Sequence, residues 1–137
     1  MNSIHVQIVT PEKTLYESDV DSLTCTTETG EITILPNHIA LVTVILAGDI
    51  HIIKQNEIIP MVTGQGILQI SENKCSLLVN TAEHIEGVDI ERAQNAAERA
   101  RSYMESKQFA SDVEYARMQA LLDRNIARIR GVQKWKK

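Results

Sequence analysis

The sequence GVDIERA, residues 87–93, divides the chain into two parts of different character. Before it, apolar and polar residues alternate in short runs that end at turn residues, which is typical of β-strands. After it, apolar residues return every three or four positions, which is typical of amphipathic helices. The charge changes at the same place. Residues 1–86 hold 3 Lys and Arg against 11 Asp and Glu, whereas residues 87–137 hold 11 against 7.

The first part predicts eight to ten short strands that form a sandwich or flattened barrel. Turn signals recur at short intervals, and Gln55-Asn56 lies between the apolar runs 50–54 and 58–62, which predicts a tight hairpin. Aromatic residues make up only 4% of the chain, so we expect a core of Val, Ile, Leu and Ala. Cys25 and Cys75 are too few for a disulfide framework, and we expect both to be reduced core residues.

The second part predicts an antiparallel two-helix hairpin, which places the chain in the α+β class. Asp89 is a suitable N-cap for the first helix. Residues 107–110 are expected to form the turn, and Ser111 with Glu114 forms an S-x-x-E capping box that opens the second helix. The apolar stripe of the first helix recurs at spacings of three and four: Ile90, Ala93, Ala97, Ala100 and Met104.

The second helix is expected to bury an apolar face and to end at Gly131. That face consists of Tyr115, Met118, Leu122, Ile126 and Ile129, with an alanine ridge beside it at Ala116, Ala120 and Ala127. Because isolated helices of this length are marginal in water, the hairpin needs a sheet face or a partner to cover its apolar side. Two domains follow from this pattern, residues 1–86 and residues 87–137.

The sequence gives no indication of an enzyme or a metal site. Its four histidines are scattered, and Gly64-Gln65-Gly66 lacks the third glycine of a nucleotide fingerprint. No run approaches the roughly 18 apolar residues of a membrane span, and no basic segment precedes an apolar one at the start, so we expect a soluble, unexported protein. The net charge of −4 argues against nucleic-acid binding by the whole chain.

The arginines of the second part allow three interpretations. Arg92 and Arg99 lie seven positions apart and share one side of the first helix, while Arg124 and Arg128 lie four apart on the second, which also carries Arg117. If the helices fold together, four guanidinium groups can bind the oxygens of a triphosphate. If the helices separate, the same groups can pair with an acidic partner. A solvated helix face is the third interpretation.

Two stretches resemble the ε subunit of F-type ATP synthases. GEITILPNH, residues 30–38, is similar to the G-E-x-x-(I/V)-L-P-x-H segment of that family, and HVQIVTP, residues 5–11, is similar to its opening strand and turn. The length, the order of β part and helical hairpin, and the change near residue 87 match as well. The similarity therefore covers essentially the whole chain.

The resemblance implies a non-catalytic rotor subunit. Its sandwich would hold the foot of the central stalk against the γ subunit and the membrane ring of c subunits, through residues that include Leu35, Pro36, Asn37 and His38. Its hairpin would either fold on the sandwich or extend toward the catalytic α/β subunits and obstruct rotation in the hydrolytic direction. The cations implied in that contact are Arg117, Arg124, Arg128 and Arg130, with Lys134, Lys136 and Lys137 on the tail.

Some bacterial members of this family bind ATP on the folded hairpin through a motif (I/L)-D-x-x-R-A. This chain reads VDIERA at residues 88–93, and only the conservative valine departs from the motif. The resemblance implies an ATP site, with no need for Mg²⁺, at Glu83, Val88, Asp89, Arg92, Ala93, Arg99, Arg124 and Arg128. Asp89 is equally suited to be a plain N-cap.

The resemblance also implies a peripheral protein at the cytoplasmic face of a bacterial plasma membrane. A plastid-encoded origin stays open, as does the coupling ion, proton or sodium. The alternative function is a free β-sandwich binding module whose hairpin is a structural lid. A small sandwich enzyme is disfavoured because no catalytic set is present.

Overall fold

The computed structural model describes residues 3–106 and 111–135. Ten strands precede two helices, so the predicted α+β fold of eight to ten strands followed by a helical pair is confirmed. The predicted turn at 107–110 lies outside the described residues. The elements are β1 (Ile4–Val9), β2 (Thr14–Val20), β3 (Ser22–Thr27), β4 (Gly30–Ile34), β5 (Leu41–Ile45), β6 (Gly48–Lys54), β7 (Glu57–Thr63), β8 (Gly66–Ser71), β9 (Lys74–Val79), β10 (Ala82–His84), a 3₁₀ turn (Ile85–Gly87), α1 (Ile90–Glu105) and α2 (Asp112–Trp135).

The strands form a continuous hydrogen-bonded ladder that encloses an aliphatic core. Their order is β10-β7-β6-β3-β5-β8-β9-β1-β2, with β4 paired to β3. The β1–β9 pair is parallel and the other pairs are antiparallel. Every second residue of β1 is fully buried, as the alternation predicts. The core is built from Ile, Leu, Val, Met and the two cysteines, with aromatic side chains only at its margin.

Two tight turns set the register of the sandwich hairpins. Gln55 and Asn56 join β6 to β7 with φ values of 52° and 67°, and Glu72 and Asn73 join β8 to β9 with 50° and 60°. Consecutive left-handed residues are typical of the type I′ turn, whose twist matches that of the flanking strands. The predicted Gln55-Asn56 hairpin is therefore confirmed.

Both cysteines lie in the core as free thiols. Cys25 is 1% exposed and Cys75 is fully buried. Burial raises the pKa of the Cys25 thiol to about 11 and that of Cys75 to about 12. Neither thiol therefore reaches its reactive thiolate form near neutral pH.

The caps predicted for both helices are present. The Asp89 carboxylate accepts a hydrogen bond from the backbone N–H of Arg92 at 3.1 Å, and the Ser111 hydroxyl accepts one from the N–H of Glu114 at 3.2 Å. The Tyr103 hydroxyl, near the end of α1, donates to the Glu114 carboxylate at the start of α2. Since Arg92 near the start of α1 also lines a cavity together with Arg128 in the second half of α2, the two helices run antiparallel.

Gly131 does not end the second helix, contrary to expectation. Helix α2 continues to Trp135, and Gly131 is buried within it. A Cβ atom placed on Gly131 would lie 2.8 Å from both Ile85 Cδ1 and Val62 Cγ2. The glycine therefore permits α2 to approach the sandwich closely, and helix termination is not its role.

The expected apolar face of α2 is also only partly buried. Tyr115 is 41% exposed, and the other members of that face are half-buried. The buried residues of α2 are instead Asn125, Ala127, Gly131 and Val132. Ala127 and Gly131 carry a small side chain or none, which lets the α2 backbone come close to its neighbours. These positions are therefore buried more deeply than the bulky apolar face. On α1 the alanine stripe is buried as predicted, at Ala93, Ala97 and Ala100.

Helix α2 docks on the sandwich through a second apolar cluster. Ala127 and Val132 of α2 pack with Val62 of β7, Ile85 of the 3₁₀ turn and Val88. This cluster is smaller than the core, and its members are 2–7% exposed. We define the arrangement as the docked hairpin.

Replacing Gly131 by leucine is expected to weaken this docking. The added side chain collides with Ile85 and Val62. Replacing glycine by leucine also raises helix propensity by about 1 kcal/mol, but this gain is the same for the docked and the undocked helix and so does not favour docking. Amide exchange of the full chain should become faster across α2 and stay unchanged in β8 and β9. Ala116→Leu, at an exposed position of the same helix, is the control, and equal exchange in the two variants would contradict the close-approach role.

A second testable feature lies at the edge pair β1–β2. His5 places its two ring nitrogens 2.8 Å from Glu17 Oε2 and 2.8 Å from Asp19 Oδ1. Both nitrogens donate only in the protonated imidazolium. The bonds to Glu17 and then Asp19 raise the pKa of His5 above 6.5, against a smaller lowering by desolvation.

The pH dependence follows from the direction of this shift. A raised folded-state pKa gives stability that is fully present below the unfolded value and is lost as pH rises through the folded value. The urea midpoint of the natural chain should therefore exceed that of His5→Gln below pH 6.5 and converge with it at higher pH. His84→Gln, at an exposed position of β10, is the control. If the urea midpoints of the natural chain and His5→Gln differed by the same amount at every pH, the pairs of His5 with Glu17 and Asp19 would contribute nothing to stability.

Candidate functional site

A cavity lined by arginines lies between the two helices. Its volume is about 430 Å³, and Arg92 and Arg99 of α1 face Arg124 and Arg128 of α2 across it. Its remaining lining mixes apolar side chains with two polar ones: Ala96, Ala100, Tyr103, Met118, Leu121 and Asn125. The antiparallel packing of the helices thus brings together the four guanidinium groups that the spacing of the arginines predicted could converge.

A second cavity adjoins the first on the side of β10. It measures about 380 Å³ and shares Arg92, Arg124 and Arg128 with the first cavity. The rest of its lining comes from β10, the segment that connects it to α1, and the first turn of α1: Glu83, Gly87, Val88, Asp89 and Ala93. The eight residues that the sequence resemblance nominated for a ligand therefore surround two cavities with a common wall.

Arg128 is held in place on two sides. Its Nε donates to the Glu83 carboxylate, and its Nη1 donates to Asn125 Oδ1 at 3.1 Å. Asn125 is 1% exposed, and its amide nitrogen donates to the Leu121 carbonyl at 2.8 Å. The sequence reasoning missed Asn125, although the available signal was its position one helical turn from the apolar residues Leu121, Leu122 and Ile129. The Asn125 side chain positions Arg128 beside Glu83.

Arg124 is the least satisfied cation of the site. Its Nε is buried without a hydrogen-bond partner among the residues that the structure describes. Burial lowers the pKa of Arg124, Arg128 one turn away lowers it further, and Glu83 partly opposes them. An arginine keeps its charge near neutral pH. The partly buried guanidinium of Arg124 is therefore a positive charge that Glu83 balances only in part. A bound anion would remove that imbalance.

Of the cations expected to contact a partner, Arg124 and Arg128 line the arginine cavities, whereas Arg117, Arg130 and Lys134 line neither of them. Arg117 and Arg130 are exposed on α2. The ammonium of Lys134 lies 3.2 Å from Asp49 Oδ2 on β6. The tail residues Lys136 and Lys137 are outside the described residues.

The segment from Leu35 to His38 forms an ordered turn after β4. The His38 N–H donates to the Leu35 carbonyl at 3.2 Å, and the N–H of Asn37, at φ 63°, donates to Asn73 Oδ1 at 2.8 Å. Leu35 is 56% exposed although it is apolar. The turn therefore presents an apolar side chain on a fixed backbone.

A separate exposed apolar face lies on β5, β8 and β9, and sequence reasoning did not identify it. Val44, Ile67 and Leu78 are direct cross-strand partners on β5, β8 and β9, and each is 45–47% exposed. Val42 on the same face and Ile39 just before β5 are exposed to 68% and 80%. The available signal was the nearly continuous apolar run 39–46, which leaves both faces of a strand apolar. Contiguous apolar surface of this kind marks an interaction site.

Within residues 3–106 and 111–135, no three His, Cys, Asp or Glu side chains are grouped to hold a metal ion. The same ranges contain no helix that is long and apolar enough to cross a membrane.

Comparison with protein families assigns the two parts of the chain. Residues 3–85 match the beta-sandwich domain of the ATP synthase Delta/Epsilon chain, and residues 86–133 match its long alpha-helix domain. The chain is 33% identical to the ATP synthase epsilon chain of Nitratidesulfovibrio vulgaris over 128 residues, 93% of this chain and 94% of that one. It is 34% identical to the epsilon chain of Caldanaerobacter subterraneus, over 97% and 96% of the two chains. The chain belongs to the ATP synthase delta/epsilon family.

Two solved structures share the fold. A chain of the Euglena gracilis mitochondrial ATP synthase, from its OSCP/F1/c-ring structure, matches with a TM-score of 0.76 at 17% identity, over 93% of this chain and 79% of that one. A chain of the Tetrahymena thermophila mitochondrial ATP synthase, from its central stalk and c-ring structure, matches with 0.58 at 15% identity, over 97% and 96%.

Proposed function

We propose that this chain is the ε subunit of an F-type ATP synthase, a non-catalytic component of the central stalk. Residues 1–86 act as the rotor anchor, and residues 87–137 act as a movable regulatory arm. Family membership supports the assignment to this complex. The exposed apolar row Val44, Ile67 and Leu78 and the exposed Leu35 supply surfaces that a γ subunit and a c-ring can cover. The subunit is peripheral, at the cytoplasmic face of a bacterial plasma membrane.

The arm is suited to leave the sandwich because its apolar contact there is small. The ion pair between Arg128 and Glu83, beside that contact, lies at partly exposed positions. Such pairs contribute about 0–1 kcal/mol each when exposed to solvent. Once extended, the basic α2 presents Arg117, Arg130 and Lys134 to acidic surface on the catalytic α/β subunits and obstructs hydrolytic rotation.

The hairpin binds ATP in its docked form. The observation that carries this proposal is the convergence of Arg92, Arg99, Arg124 and Arg128 on two adjoining cavities. No described residue accepts a hydrogen bond from the Arg124 Nε. Guanidinium groups bind phosphate oxygens in bidentate fashion. Four of them neutralise a triphosphate without Mg²⁺. Because the four converge only when the helices pack on each other, ATP favours the docked arm by its differential affinity for that state.

The adenine end of the site is the cavity beside β10. Val88 and Ala93 offer apolar contact to a base, and the carboxylates of Glu83 and Asp89 are acceptors for its amino group. One oxygen of Asp89 already caps α1, so its second oxygen is the one available to a ligand. Because Glu83 pairs with Arg128, a ligand that uses either group has to rearrange that pair.

Removing one phosphate-binding arginine is expected to weaken ATP binding. Arg92→Ala or Arg99→Ala each loses charge-assisted hydrogen bonds worth about 1.5–3 kcal/mol, which is roughly a 10- to 150-fold rise in Kd. Isothermal titration of the full chain, with EDTA present, measures the change. Arg101→Ala is the matched control, because Arg101 pairs with Glu98 on the exposed side of α1. Natural affinity in both test variants would remove the proposed site.

Deleting residues 88–137 is expected to raise ATP hydrolysis by the assembled complex while the complex still forms. The arm that obstructs rotation is lost, whereas the anchoring sandwich is retained. Hydrolysis by purified complexes, with subunit content checked by gel, measures the effect. Hydrolysis that does not change after truncation would favour the alternative, a sandwich whose helical hairpin is a structural lid.

A further inference from the structure

A cluster of contacts outside the arginine cavities joins the end of α2 to the sandwich. The indole Nε1 of Trp135 donates to Asp49 Oδ2 at 2.9 Å, and Lys134 lies 3.2 Å from the same oxygen. The Trp135 ring also contacts the His51 ring, with centroids 5.1 Å apart and planes inclined by 52°. We define Asp49, His51, Lys134 and Trp135 as the C-terminal latch.

We propose that the C-terminal latch holds the arm docked in the absence of nucleotide, with Asp49 as its central acceptor. The proposal deepens the proposed function, since the arm it holds is the regulatory one. Undocking releases Lys134 from Asp49, so the cation becomes available to an acidic partner only when the latch opens. The sandwich thereby competes with the partner for the same group.

The geometry around Asp49 indicates that its contacts with Trp135 and Lys134 stabilise the docked helix. The Asp49 side chain is 23% exposed, and one carboxylate oxygen receives both donors. Burial raises the pKa of Asp49, but the bonds from Trp135 and Lys134 outweigh it and lower the pKa overall. A hydrogen bond to a charged acceptor is stronger than one between neutral groups. The indole N–H of a partly buried tryptophan also needs a partner, and Asp49 supplies it.

The latch is spatially separate from the nucleotide cavities. Trp135 follows Arg128 by seven residues, which is about 10 Å along a helix. None of the four latch residues lines either arginine cavity. Nucleotide and latch therefore act on the same docking equilibrium from different places, and the latch acts with the cavities empty.

The chain carries a built-in reporter for this proposal, because Trp135 is its single tryptophan. In the nucleotide-free full chain, Asp49→Ala should increase acrylamide quenching of Trp135 and raise amide exchange across 126–135 about tenfold, as expected for a lost charge-assisted bond. Asp49→Asn keeps an acceptor for the indole and loses the ion pair, so its effect should be intermediate. Glu57→Gln, a charge loss at the far end of the same hairpin, should match the natural chain.

Two further measurements separate the latch from general loss of structure. Amide exchange in β1, β8 and β9 should be the same in all variants, because these strands do not contact the latch. Lys134→Ala leaves the sandwich untouched and should also loosen α2, with less than additive effects when combined with Asp49→Ala. If acrylamide quenched Trp135 equally in the natural chain and in Asp49→Ala, the proposal would be overturned. If the effects of Lys134→Ala and Asp49→Ala on exchange in α2 were additive, the role of Lys134 would be overturned.

The assembled complex distinguishes failure of the latch from failure of the proposed function. Asp49→Ala should deepen inhibition of ATP hydrolysis, because more arms are released. If truncation of residues 88–137 relieves inhibition while Asp49→Ala leaves it unchanged, the latch proposal is wrong and the regulatory arm stands. If Trp135 becomes more accessible in Asp49→Ala while truncation has no effect on hydrolysis, the latch stands and the inhibitory role is wrong.

Discussion

The close approach of α2 to the sandwich at Gly131 is the constraint on which the rest of the second domain depends. Without a side chain at this position, α2 lies directly against Val62 and Ile85. This close contact sets the depth at which Ala127 and Val132 are buried. It also brings Arg128 to Glu83 and Trp135 to Asp49. One glycine thus permits the close contact of α2 with β7 and the 3₁₀ turn, which places Arg128 and Trp135 within reach of Glu83 and Asp49.

The docked hairpin combines weak apolar contact with concentrated positive charge. The arginine cavities are tolerated because Glu83 and Asn125 bind Arg128, but the buried Nε of Arg124 has no hydrogen-bond partner within residues 3–106 and 111–135. A cation cluster of this kind is costly when no anion balances it. In the proposed extended state the arginines would return to water, so the cost would fall on the docked state alone, where the apolar cluster and the proposed latch would offset it. An anionic ligand at the proposed site would shift this balance toward the docked state.

Local features of the fold were largely predictable from the sequence. The turn residues Gln55 and Asn56, the caps Asp89 and Ser111 and the alanine stripe of α1 act through backbone geometry within a few residues, so their signals are local. The gathering of the arginines was predictable in outline, because helical spacing and a short turn leave few arrangements. Two expectations about α2 were wrong: Gly131 does not end it, and its bulky apolar face is not its most buried one. Both errors came from treating the helix apart from the surface it packs against.

The sequence by itself determined where the chain changes from strands to helices, which residues cap and turn it, and which arginines share a helix side, because each depends on periodicity and short-range backbone chemistry. The tertiary structure alone decided that Gly131 is a contact point, that Asn125 holds Arg128, that Val44, Ile67 and Leu78 form one exposed row, and that Asp49 binds a tryptophan 86 residues away. The physical reason is that these contacts join residues far apart in the chain. Their partners are chosen by the relative placement of sheet and helix, which no local pattern encodes.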